Sequence, residues 1–210
     1  MIQIAPSLLS ADFSRLEKDI RTVEAGGCDL LHLDVMDGHF VRNITFGPVV
    51  IKGIRKLTKL PLDVHLMIEK PENWIQQFVD AGADWISFHI EATSLHEQVI
   101  EAIKKNNKKA GIVIKPATPL ETILPFIHKL DFVLVMTVNP GFGGQQFMSE
   151  QVEKIEILSK KNVEIEVDGG INILTAPQVV KAGAKILVSG AGIFGTDDPI
   201  KTIKELKNVS

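Results

Sequence analysis

Short apolar runs alternate with longer amphipathic segments along the whole chain. The runs Ile2–Leu8, Leu30–Val35, Leu62–Leu66, Trp85–Ile90, Ala110–Ile114, Phe132–Met136, Val163–Val167 and Ile186–Val188 read as buried strands. Between them, helices are predicted near Phe13–Ala25, Pro48–Leu57, Pro71–Ala81, Leu95–Asn106, Leu120–Ile127, Ser149–Lys160, Ala176–Ala182 and Pro199–Lys207. Strict strand-then-helix alternation calls for right-handed crossovers and a parallel sheet.

A degenerate repeat counts the units. Ala25-Gly26-Gly27-Cys28-Asp29, Ala81-Gly82-Ala83-Asp84 and Ala182-Gly183-Ala184-Lys185 each precede an apolar run. Each reads as a helix ending in a left-handed glycine and turning straight into a strand. Their separations fit two and then four units of roughly 25–28 residues, so the chain holds about eight. Eight βα units close into a (β/α)8 TIM barrel; a doubly wound open sheet is the competing architecture. No linker or low-complexity segment divides the chain, and residues 1–210 are expected to form one α/β domain.

Composition narrows the class. The 210 residues are 45% apolar and 23% charged, ordinary for a globular protein. A formal net charge of -3 without a basic block argues against nucleic acid or an anionic membrane surface as partner. No stretch is apolar enough to span a bilayer, and the start lacks the pattern of a signal peptide. The single cysteine, Cys28, cannot form an intrachain disulfide, which suits a reducing cytoplasm. A cytoplasmic enzyme or binding protein remains.

The candidate chemistry begins in Leu30–Gly38, an apolar run that ends in Asp37-Gly38. His32 and Asp34 are two apart and project to the same face of the strand. Burying them is costly without a partner, and a metal ion is one such partner. Barrels carry their active sites at the C-terminal ends of the strands. There strand 1 offers Ser7, strand 3 offers His65 and strand 7 offers Asp168. His32, Asp34, His65 and Asp168 make a two-histidine, two-carboxylate set, suited to zinc, ferrous iron, manganese or cobalt. Glycine-rich stretches, Val138–Gln145 after strand 6 and Ser189–Gly192 after strand 8, suit a phosphate, helped by a helix N-terminus after strand 8.

The segments Ala5–Phe13, His32-x-Asp34-x-Met36-Asp37-Gly38-His39-Phe40, Asn43–Pro48, Asp63–Met67, Asn139–Gln145 and Val167–Gly170 together resemble the ribulose-phosphate 3-epimerase family, from strand 1 to strand 8. The resemblance implies a ribulose-phosphate-binding barrel that interconverts D-ribulose 5-phosphate and D-xylulose 5-phosphate in the pentose phosphate pathway. It implies one divalent metal ion on His32, Asp34, His65 and Asp168, with Asp34 and Asp168 also the acid/base pair. Ser7, His65, Gly141, Phe142, Gly143, Gly144, Gly169, Gly170, Gly190 and Ala191 would contact substrate, with Met36, Met67 and Met136 lining the pocket. It also implies a homo-oligomer. The residues suit the reaction on their own terms. Epimerising the carbon beside a ketone needs a proton removed on one face and returned on the other, and two carboxylates on separate strands can do both.

Two positions depart from the family pattern. Arg42 replaces a usual proline and reads as a solvated loop charge; Lys115 replaces a usual asparagine at the end of strand 5. A lysine there could form a Schiff base, the lyase alternative. Related sugar-phosphate lyases and decarboxylases rely on an Asp-x-Lys strand motif, which this chain lacks. A six-carbon ketose phosphate such as allulose 6-phosphate is the neighbouring substrate reading, and a non-catalytic phosphate-binding barrel is the alternative outside enzymes. His89 and Glu91 close strand 4 and could support the ligands from behind. Asp37 is expected to shape the loop with Gly38, His39 to belong to that loop, His96 and His128 to be solvated, and Trp74 and Trp85 to pack in the core.

Overall fold

Eight strands and the segments that follow them alternate as the sequence pattern predicts. The computed structural model describes residues 1–209. The strands are β1 (Gln3–Pro6), β2 (Leu31–Met36), β3 (Leu62–Met67), β4 (Trp85–His89), β5 (Lys109–Ile114), β6 (Phe132–Met136), β7 (Glu164–Asp168) and β8 (Ile186–Ser189). The helices are α1 (Leu16–Gly26), α2 (Pro48–Leu57), α3 (Ile75–Ala81), α4 (His96–Lys105), α5 (Val152–Leu158), α6 (Ala176–Ala182), α7 (Ala191–Phe194) and α8 (Pro199–Lys207). All strand pairs are parallel, in the order β1-β8-β7-β6-β5-β4-β3-β2. A parallel bridge between Ser7 and His32 joins the two ends. That bridge makes the sheet a (β/α)8 barrel and excludes the open sheet. Among the described residues no helix is long and apolar enough to cross a membrane.

Strand side chains alternate, so the molecule has two cores. Leu31, Leu33, Val64, Leu66, Ile112 and Val133 point outward to the helices and join the large shell core. Inside, Leu30, Trp85, Phe132 and Ile186 plug the N-terminal end. Gly111 leaves the space the Phe132 ring fills; a Cβ there would lie 2.5 Å from that ring. Above the plug the interior turns polar on one side: His32, Asp63, His65, Ser87, His89 and Glu166 are all fully buried.

The aspartates of the first two repeat members have a physical role, which Asp131 shares. The carboxylate of Asp29 accepts from the backbone N–H of Ile4 (2.8 Å), that of Asp84 from Leu62 (3.1 Å), and that of Asp131 from Ala110 (2.8 Å). Each aspartate precedes an even-numbered strand and fastens the first residues of the odd strand before it. The left-handed glycines at the ends of α1, α3 and α6 are Gly27, Gly82 and Gly183.

Three expectations need correction. The helix predicted over Leu120–Ile127 is a pair of 3-10 segments, Leu120–Thr122 and Leu124–Lys129. Pro125 has no N–H for an α-helical bond, so the segment cannot propagate. Trp74 is 46% exposed, outside the core in which Trp85 is buried. His96 is not free in solvent: its Nε2 bonds the Ile90 carbonyl at 2.8 Å and its ring packs on Phe126. His128 is exposed as expected, as is Arg42, and His39 lies in the loop after Asp37-Gly38. Cys28 is buried, and burial pushes its thiol up to about 12, so it is an inert packing group.

Candidate active site

β2, β3 and β7 bring His32, Asp34, His65 and Asp168 together at the C-terminal mouth, with one donor atom from each within 4.8 Å of all the others. Asp34 stands at the centre. Its Oδ1 lies 3.4 Å from His32 Nε2 and 3.3 Å from His65 Nδ1, and its Oδ2 accepts from the Ser7 hydroxyl at 2.5 Å.

The donor set fits a divalent cation. Among the described residues, His32 Nε2 and His65 Nδ1 are buried without a hydrogen-bond partner, and both face Asp34. Two unpartnered buried imidazole nitrogens and two carboxylates converging on one point match the donor set of a divalent-metal site. His32 Nδ1 lies 2.5 Å from Asp63 Oδ2, the carboxylate support that metal-binding imidazoles ordinarily have.

Electrostatics separate the two aspartates. Burial alone would raise Asp34, but the His32 and His65 imidazoles outweigh it and hold Asp34 well below the usual carboxylate range. Burial, then the Asp34 charge, pushes Asp168 up to about 7. Burial opposes charge on His32, yet Asp34 and Asp63 overcome it and raise its pKa. Burial lowers His65, and takes His89 down to about 3. Glu166 lies beneath His32 beside Asp63, and burial with that neighbouring carboxylate raises it well above the usual range.

A cavity of about 450 Å³ opens above this cluster. Asp34 and Asp168 form part of its wall with Ser7, Met36, Met67 and Met136. The glycine-rich segments line the rest of it, with Gly141–Gly144, Gly169, Gly170, Gly190 and Ala191. His32 and His65 have no surface in the cavity and sit fully buried behind Asp34. The expected substrate residues thus converge on one cavity, apart from His65, which reaches only the cluster.

The sequence forms these loops for identifiable reasons. Gly169 (φ 125°) and Gly170 (φ 66°) turn the chain out of β7, and a Cβ on either would stand 2.7 Å from a backbone nitrogen, of Val138 or Phe147. Only glycine fits there. Thr137 locks the turn by donating to the carbonyls of Asp168 and Gly169. Asn43 Nδ2 donates to the Gly141 carbonyl at 2.7 Å, strapping the β2 loop to the glycine loop across the mouth. Asp37 shapes its loop as expected, accepting from the N–H groups of His39, Phe40 and Glu69. Lys115 is turned away from the cavity, with its Nζ 3.8 Å over the Phe40 ring, so the Schiff-base alternative has no nucleophile at the site.

Residues 3–194 match the sequence pattern of the ribulose-phosphate 3-epimerase family. The chain belongs to this family. Ribulose-phosphate 3-epimerase of Bacillus subtilis (strain 168) is 50% identical, covering 99% of both chains. The enzyme of the same name from Schizosaccharomyces pombe is 46% identical, over 98% of this chain and 92% of that one. Among solved structures, 3-hexulose-6-phosphate synthase from Salmonella typhimurium superposes with a TM-score of 0.75 at 19% identity, covering 99% of this chain and 98% of that one. That likeness is one of fold. Membership makes the chain an epimerase, an isomerase acting on carbohydrates.

Around this epimerase site stand several supporting residues that the sequence does not single out. Asp63 and Glu166 read there as strand residues, Thr137 and Asn43 as loop or motif positions. The alternation that pairs His32 with Asp34 equally pairs Asp63 with His65 and Glu166 with Asp168, so period two carries a signal for both carboxylates. Nothing local marks the bonds of Thr137 and Asn43, whose partners lie at the end of β7 and in the loop after β6.

Proposed function

We propose that the protein interconverts D-ribulose 5-phosphate and D-xylulose 5-phosphate by removing and returning the C3 proton with Asp34 and Asp168. The observation that carries this reading is the placement of the pair: Asp34 and Asp168 stand in one cluster and line one cavity, with the imidazoles holding Asp34 low and burial pushing Asp168 up to about 7. One can accept a proton while the other delivers one to the opposite face, and the roles exchange with direction. Asp34 on β2 and Asp168 on β7 approach the cavity with β1 and β8 between them, which allows access to two faces of one carbon.

His32, Asp34, His65 and Asp168 would hold one divalent ion, and their mixed nitrogen and oxygen donors suit zinc, ferrous iron, manganese or cobalt. When bound, the ion supplies Lewis-acid stabilisation of charge developing on the ketone and neighbouring hydroxyl oxygens. Ser7 holds Asp34 by its short hydrogen bond and orients the carboxylate. Met36, Met67 and Met136 present thioether walls that limit water beside the reacting carbon. The glycine loops after β6, β7 and β8 expose backbone N–H groups suited to the 5-phosphate. A cytoplasmic setting goes with the lone buried thiol. A homo-oligomer would cover part of the exposed apolar surface at Ile44 and Val49.

The test is proton exchange at C3 in deuterated water. Asp34→Asn and Asp168→Asn should each lower turnover by about 10³-fold or more while leaving the fold intact. Near-normal turnover in either metal-loaded variant removes that residue from the pair.

A further inference from the structure

Ser10 lines the cavity where the glycine loops after β6 and β8 come closest to the segment after β1. We infer that its hydroxyl is a hydrogen-bond donor to the substrate phosphate, the one side-chain contact in a seat otherwise made of backbone. This rests on the sugar-phosphate reading of the cavity.

The position of Ser10 follows from that of Ser7. β1 leads into the 3-10 turn Leu8–Ser10, with Ser7 as its cap. The Ser10 N–H closes the turn on the Ser7 carbonyl at 3.2 Å. Side chains three apart on such a turn lie one above the other, about 6 Å apart along its axis. The lower hydroxyl is engaged: Ser7 donates to Asp34 Oδ2 at 2.5 Å and accepts from the Leu9 N–H at 3.3 Å. The upper one, on half-buried Ser10, has no hydrogen-bond partner among the described residues and faces the cavity.

Two glycines bracket that hydroxyl. A Cβ at position 190 would stand 2.5 Å from Ser10 Oγ, and one at position 143 would stand 3.6 Å from it. Gly190 therefore leaves the room that Ser10 occupies, and the hydroxyl rests against both loops whose N–H groups suit a phosphate. A phosphate monoester at neutral pH is largely dianionic, so its terminal oxygens mainly accept. A serine hydroxyl rotates to meet an acceptor, and a bond to a charged oxygen is about twice as strong as a neutral one. One turn of chain thus carries a serine for each end of the substrate, Ser7 behind the proton-transfer carboxylate and Ser10 at the phosphate.

Ser10→Ala removes an oxygen that no protein group uses, so the fold should be untouched. With the metal-loaded enzyme and D-ribulose 5-phosphate, the variant should raise KM about 10–100-fold, with a far smaller change in kcat, as for a contact made equally before and during the chemistry. Ser10→Cys, with a weak S–H donor, should fall between wild type and Ser10→Ala. Inorganic phosphate titrated into metal-free protein, followed by phosphorus NMR, should bind Ser10→Ala more weakly than wild type by a similar factor. An unchanged KM overturns the inference. So does a raised KM with unchanged phosphate affinity, which would put the hydroxyl on the sugar. A kcat that falls as far as kcat/KM also overturns it, since Ser10 would then act by holding Ser7 on Asp34. Phosphate that binds neither protein overturns it as well. Weaker phosphate binding by Ser10→Ala, alongside a wild type that does not turn over D-ribulose 5-phosphate, defeats the epimerase substrate reading alone.

Discussion

Asp168 is ionised in an unfolded chain above about pH 4, the ordinary range for aspartate, but in the folded protein it keeps its proton up to about pH 7. Folding therefore takes up a proton between these values, and stability from this group is full at low pH and lost as pH rises through 7. Asp168→Asn carries no such charge. In metal-free protein the variant should melt higher than wild type at pH 8, with the difference shrinking toward zero near pH 4. A difference that does not vary with pH would mean that Asp168 is ionised throughout. At this scale much was legible from sequence, because His32 with Asp34 needed only the period of a strand. Glu91 was visible as a polar strand end, but its partners His89, Lys115 and Thr118 depend on which loop faces β4 after closure. Lys115 read as a departure from pattern; its contacts with Phe40 and Glu91 come from packing that no local rule expresses.

Among the elements, the strands were the most legible, since runs of Val, Ile and Leu buried on both faces leave few alternatives. The segment between β5 and β6 was the least, because apolar spacing suggested a helix that Pro125 prevents. Its support comes from outside: Lys154, on α5 beyond β6, satisfies three of the carbonyls leading into it. Lys154→Met keeps the aliphatic stem and removes the donors. It should cost about 1–3 kcal/mol in urea unfolding. Asp29→Ala should cost a similar amount, about 1–3 kcal/mol, by leaving the Ile4 N–H without its acceptor and Lys207 without its ion-pair partner. Unchanged unfolding midpoints would show that solvent replaces these bonds without loss.

Across the whole molecule, the chemistry is unevenly distributed. His32, Asp34, His65, His89 and Glu91 come from β2 to the end of β4, while the glycine loops follow β6, β7 and β8. Asp168 alone crosses from the second set to the first. The join between β1 and β2 is the lightest in the barrel, one backbone bridge at Ser7 and His32 with Asp29 below it, whose N–H donates to the Ile4 carbonyl and whose carboxylate accepts from the Ile4 N–H. Above that bridge the fastening is the Ser7 hydroxyl on Asp34. The residues proposed for catalysis therefore also act as the clasp of the ring. Ligation and ring closure then share one free energy: whatever immobilises Asp34 slows breathing of the join, and whatever opens the join weakens ligation by the same factor. Amide exchange should show this reciprocity. Adding cobalt(II) should protect the N–H groups of Ile4 and Asp29, which bond across the join, far more than those between β4 and β5, and uniform protection around the ring would contradict it.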